Sequence, residues 1–68
     1  MTTHIATLLN RFVREDGRLV IRAQVDSGRV LDVYVLPEHR EEAARIWGGG
    51  TVPFVYRGGR AFFAPRDC

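Results

Sequence analysis

Hydrophobic and polar residues alternate with a period of two along most of this chain, and the alternation stops at short glycine-containing turns. Leu19, Ile21, Ala23 and Val25 alternate with Val20, Arg22 and Gln24, which predicts a strand over Leu19 to Val25 with the first set facing a core. Val30 to Leu36 is rich in β-branched residues and predicts a further strand, with Leu31, Val33 and Val35 inside and Val30, Asp32, Tyr34 and Leu36 outside. Ile5 to Arg14 reads as the first strand, with Ala6, Leu8 and Phe12 on one face and Ile5, Leu9 and Val13 on the other. A short amphipathic helix over Ile5–Phe12 is the competing reading, because apolar residues lie on both faces of that strand. Thr51 to Tyr56 and Arg60 to Ala64 complete the strands, with Val52, Phe54 and Tyr56 sharing a face with Ala61 and Phe63.

The period changes once. Pro37 to Trp47 predicts the single helix, with proline at its first position, Glu38, Glu41 and Glu42 near its positive end, and Gly48 as its stop. Trp47 is expected to plug one end of the strand assembly.

The turn residues set register. Asp26-Ser27-Gly28 suits a three-residue hairpin loop with Gly28 in the left-handed position. That loop pairs Ala23 with Leu31, Ile21 with Val33, Arg22 with Asp32 and Val20 with Tyr34, so the apolar faces coincide. Asp16-Gly17 is read as a two-residue loop, which pairs Phe12 with Ile21 and Arg11 with Arg22. Phe12 then joins the core, and Arg11, Arg22 and Asp32 form an outer row beside Val13, Val20 and Tyr34. Gly58-Gly59 predicts a tight type I′ hairpin flanked by Arg57 and Arg60. Pro53 cannot donate to a ladder and predicts an edge or a bulge in its strand.

Three strands, a helix and two strands predict an all-β fold with one helix: a five-stranded small barrel, OB-like, with an SH3-like barrel as the alternative. Residues 1–68 make a single domain. A chain this short buries only about 60% of its unfolded surface, which leaves no room for a deep enzyme pocket with its supporting shell. Hydrophobic residues at 46% and charged residues at 26% place it among globular rather than disordered chains. The start Met1-Thr2-Thr3-His4 lacks the basic region and apolar stretch of a signal peptide, and a cytoplasmic location is the expectation.

Candidate chemistry is sparse. No nucleophile motif, paired carboxylate or Cys/His spacing points to catalysis or to a metal, so a non-enzyme without cofactors is expected. Cys68 is the one cysteine and offers no internal disulfide. All ten basic residues are arginine, and the formal net charge is +2. Outside the helix, eight arginines stand against five acids. Guanidinium groups hold phosphate in two places and stack on aromatic rings. Arg11, Arg22 and Tyr34 on one wall, with Arg57 and Arg60 at the adjoining turn, are therefore the candidate nucleic-acid-binding residues.

The element order, and the segment Val25 to Val35 with its Asp26-Ser27-Gly28 turn, resemble the small single-domain OB-fold proteins related to bacterial translation initiation factor 1. The chain departs from them in lacking lysine and in its small charge surplus. The resemblance implies ligand binding on the second and third strands and the loops beside them. Two functions are expected from these features. One is weak binding of single-stranded nucleic acid. The alternative is a protein-interaction adaptor or small regulator of a larger assembly, monomeric or homodimeric, using the edge at Pro53 and the outer residues Val20, Val30 and Leu36.

Overall fold

The computed structural model describes residues 2–65. Five strands are present: β1 (His4–Val13), β2 (Leu19–Gln24), β3 (Val30–Tyr34), β4 (Thr51–Arg57) and β5 (Arg60–Phe63). A 3₁₀ turn, Pro37–His39, leads into the one short helix, α1 (Arg40–Ala44), between β3 and β4. The strands close into a barrel in the order β1-β2-β3-β5-β4, with β4 pairing back onto β1. Every neighbouring pair is antiparallel except β3 and β5, which run parallel. This is the expected all-β, OB-like small barrel with one helix.

The core follows the alternation. Leu19, Ile21 and Ala23 of β2, Val33 of β3, Val52 and Phe54 of β4, and Ala61 and Phe63 of β5 are all buried, and Ala43 of α1 seals against them. Burying a large apolar side chain such as Phe54 stabilises a fold by about 1.5–3 kcal/mol. Tyr56 follows the same face outward and emerges half-exposed at the barrel mouth, where its ring meets those of Phe54 and His4 edge-on.

The β2–β3 register agrees with the sequence reading at every pair, including Arg22 opposite Asp32 and Ile21 opposite Val33. Val25 N donates to Arg29 O at 3.0 Å, and Gly28 takes a φ of 90°, so three residues form the loop. The Asp16-Gly17 loop departs from the two-residue reading. Arg14 N donates to Arg18 O at 2.8 Å, Gly17 N to Arg14 O at 2.9 Å, and Gly17 has a φ of 83°. Glu15-Asp16-Gly17 is therefore built on the same plan as Asp26-Ser27-Gly28. The register becomes Arg11 opposite Ile21 and Phe12 opposite Val20, one residue from the expected pairing. A one-residue slip turns every side chain to the other face. Phe12 thus leaves the core for the outer wall. An irregularity between Leu8 and Asn10 restores the phase, so that Leu8 and Ala6 still point inward.

Three further expectations are corrected. Pro53 is not on an edge: it lies opposite Ile5 in the β1–β4 ladder, and Ala64 N donates to Pro53 O at 3.0 Å. The reciprocal bond, which proline cannot make, falls at the end of the β4–β5 ladder, so the closed barrel accommodates it. The helix ends at Ala44 rather than Trp47, and Trp47 is 81% exposed instead of plugging the barrel. Val20, expected on an exposed apolar patch, is 1% exposed because it lies between Phe12 and Tyr34 on the outer wall.

Candidate functional site

The corrected register lines up one belt of side chains around the outside of the barrel. Phe12 of β1 faces Val20 of β2, Val20 faces Tyr34 of β3, Tyr34 lies beside Phe62 of β5, and Phe62 faces Val55 of β4. Such neighbours have Cβ atoms about 4.5–5.5 Å apart, so the side chains touch. The rings of Tyr34 and Phe62 are 5.9 Å apart and tilted by 42°. Phe12, Tyr34 and Phe62 are half-buried and cover Val20 and Val55 beneath them.

Arginines overlie this belt. Arg22 sits with its guanidinium 5.5 Å over the Phe12 ring, and its Nε is 3.3 Å from Asp32 Oδ1. Arg14 lies 5.7 Å over Tyr34 and donates from Nη1 to Tyr34 Oη at 3.4 Å. Arg60 approaches the same ring at 5.9 Å. Each exposed cation–ring contact is worth about 0.5–1 kcal/mol, enough to orient a guanidinium without immobilising it. Arg57 stands opposite Arg60 across the Gly58-Gly59 turn, where both glycines have positive φ.

The candidate residues separate on this map. Arg22, Tyr34 and Arg60 share one wall, and Arg57 adjoins it at the turn. Arg11 does not belong to it. With Ile21 as its partner, Arg11 points past the end of the barrel to the helix, where Nη1 donates to Ala43 O at 3.0 Å and to Ile46 O. Those carbonyls lie at or just past the C-terminal end of α1, where a cation is favoured, and Ala43 O accepts from Ile46 N as well, at 3.3 Å. Arg11 caps the helix, away from the wall that carries Arg22, Tyr34 and Arg60.

The sequence reading leaves Phe62, Arg14 and Arg29 out of the candidate wall and sets Phe12 in the core or at the wall's margin. The signal was present. Reading Glu15-Asp16-Gly17 by the rule applied to Asp26-Ser27-Gly28 places Phe12 beside Tyr34's row, and the alternation Ala61-Phe62-Phe63 sends Phe62 outward.

The charges on the wall are unevenly satisfied. Arg18, Arg22 and Arg45 have carboxylate partners, Asp16, Asp32 and Glu41. Arg11 and Arg40 are held by backbone carbonyls. Arg14, Arg29, Arg57 and Arg60 make no ion pair among the described residues, and all four lie around the Tyr34–Phe62 side of the barrel. This arrangement can stack planar rings and hold anions beside them. No family model matches the chain, and no curated protein or solved structure matches it either.

Proposed function

We propose that the protein is a non-catalytic cytoplasmic module that binds single-stranded nucleic acid, RNA or DNA, weakly and without strong sequence preference. The observation that carries this reading is the convergence on the aromatic belt of four arginines that make no ion pair among the described residues. Bases stack on Tyr34, Phe62 and Phe12, and the arginines hold the phosphates between them. The outer face of β2 and β3 is also where OB-type barrels take oligonucleotides. The likeness of the Val25–Val35 hairpin to proteins related to translation initiation factor 1 agrees with this reading. The net charge of +2 is small, so affinity is at best micromolar, about −8 kcal/mol.

A labelled oligonucleotide titrated at two salt concentrations tests the proposal. Wild type binds at low salt and loses affinity steeply as salt rises. Tyr34→Ala weakens binding by the ~1–3 kcal/mol of one base stack. Absence of any low-salt binding removes the reading.

A second reading, a protein-interaction module, is favoured by a different observation. A groove of about 640 Å³ runs beside α1, lined by Ile5, Ile46, Pro53, Phe63 and Pro65, with Ile5 well exposed. Closure of the barrel removes the edge strand first considered for such contacts, so a partner or second copy would meet side chains rather than free backbone. Binding that persists at high salt, or a dimer in solution, would select it.

A further inference from the structure

The parallel seam between β3 and β5 is short. Only Val33 with Ala61 and Tyr34 with Phe62 are in register, although β3 begins at Val30. Ahead of Val33 the strand therefore diverges from the β4–β5 hairpin, and a cleft of about 260 Å³ opens between them. Arg29, at the end of the β2–β3 loop, and Arg60, the first residue of β5, line it, with Tyr34, Tyr56 and Gly59 between. Neither arginine makes an ion pair among the described residues. The one acid in the cleft, Asp32, is engaged by Arg22 at 3.3 Å.

We propose that this cleft binds a terminal phosphate monoester, so that the protein prefers strands ending in phosphate over strands ending in hydroxyl. The proposal rests on the nucleic-acid reading above and sharpens it. An internal phosphodiester carries one negative charge, whereas a monoester carries about −1.5 to −2 and three acceptor oxygens. Two arginines that line one small cleft and make no ion pair among the described residues match the second ligand better than the first. The two-residue Gly58-Gly59 turn adds backbone that an anion can approach, since neither glycine carries a Cβ and nothing lies within 4 Å of where one would be. Tyr34 belongs both to the cleft and to the belt, so a strand lying across the belt has its end at the cleft.

The test uses a short oligothymidylate, labelled internally, in three forms: 5′-phosphate, 3′-phosphate and hydroxyl at both ends. One phosphate-ended form is expected to bind about tenfold tighter than the hydroxyl form, the size of one added charge-assisted hydrogen bond. Arg29→Ala is expected to abolish that preference, so that its phosphate-ended and hydroxyl-ended affinities become equal, while the loop keeps the backbone carbonyl that accepts from Val25 N. Inorganic phosphate should compete for the preference alone. Equal binding of all three forms overturns the inference and leaves nucleic-acid binding standing. If no oligonucleotide binds, the wider reading fails, and a titration of inorganic phosphate against the amide resonances of Arg29, Gly59 and Arg60 decides the cleft. Saturable shifts at these three keep it as a phosphate site, and unshifted resonances remove it.

Discussion

The two sides of this barrel use the same residue type for opposite ends. On the helix side, Arg11 and Arg40 donate to backbone carbonyls, Arg11 to Ala43 and Ile46, Arg40 to Gly17. They fasten α1 and the β1–β2 loop to the barrel. On the β3–β5 side, Arg14 and Arg60 rest against Tyr34, while Arg29 and Arg57 reach into the adjoining clefts. A net charge of +2 hides this division. For the strand residues Arg11 and Arg60 the difference is one of register: Arg11, opposite the inward Ile21, meets the helix end, and Arg60, opposite Arg57, meets the Tyr34 ring. Substitutions on the helix side should therefore alter stability and spare binding. Substitutions on the β3–β5 side should do the reverse.

The largest stability effect is expected at Gly50, where the chain leaves the helix side for β4. Gly50 is held in both directions, its N donating to Trp47 O at 2.8 Å and its O accepting from Leu8 N at 2.9 Å. A Cβ there would stand 2.8 Å from Trp47 O and 2.9 Å from Ile46 Cγ2. The first neighbour is backbone and cannot move aside. Gly50→Ala should destabilise the fold by about 2–3 kcal/mol, the upper part of the range for overpacking. In a domain of this size that lowers the melting temperature by roughly 8–24 °C. Gly48→Ala, with nothing within 4 Å, is the control and should melt close to wild type.

Arg11→Ala is the next largest and the most direct contrast between the two sides. It removes two charge-assisted bonds to helix carbonyls that water can partly replace, so a loss of about 1–2 kcal/mol is expected. Chemical denaturation should show it. Arg60→Ala should cost no more stability than the ~0.5–1 kcal/mol of its contact with the Tyr34 ring, and should weaken oligonucleotide binding with a salt slope shallower by about one phosphate contact. If Arg11→Ala instead weakened binding as much as Arg60→Ala while leaving stability intact, the division between the sides would collapse.

The fold was legible because its main determinants are local. The alternation in Leu19–Val25 and the left-handed glycine at 28 fix the β2–β3 hairpin without reference to the rest of the molecule. The candidate site was only half legible, for one local reason. Asp16-Gly17 matches a two-residue turn as a dipeptide, but the loop includes Glu15, and the hydrogen bond from Arg14 N to Arg18 O fixes the longer form. That single residue moved Phe12 onto the wall and Arg11 off it. The irregularity beside Leu9 concealed the slip, because it kept Leu8 and Ala6 in the core under either reading. Trp47 was misplaced for a different reason. α1 ends at Ala44, and Arg11 donates to the carbonyls of Ala43 and Ile46 there, a tertiary contact that no local pattern announces.

If the two hairpin loops are alike, they should respond alike. Gly17 and Gly28 have φ of 83° and 90°, with open space where a Cβ would go. Alanine at either position meets no clash and suffers only the cost of the left-handed conformation, about 1–2 kcal/mol. Gly17→Ala and Gly28→Ala should therefore shift the denaturation midpoint by equal amounts. A much smaller cost at Gly17 would mean that Gly17 does not hold the left-handed conformation on which the likeness of the two loops rests.

The smallest effect is expected at Asp32, and its sign is the sharpest check on the β3–β5 side. Asp32 lies among the arginines of the outer wall, paired with Arg22 across the hairpin while both side chains remain nearly half-exposed. An exposed pair of this kind contributes about 0.2–1 kcal/mol to stability and is weakened by salt. Asp32→Asn keeps the shape and removes the charge, so stability should fall by no more than that. Affinity for an oligonucleotide should move the other way. Arg22 loses its internal competitor but keeps its seat over Phe12 at 5.5 Å, and the wall gains one net positive charge. At low salt the complex should tighten about two- to threefold, and the gain should shrink as salt is added. Weaker binding of Asp32→Asn than of wild type, at unchanged stability, would mean that Asp32 itself accepts a hydrogen bond from the ligand, and the wall would then read bases rather than only stack them.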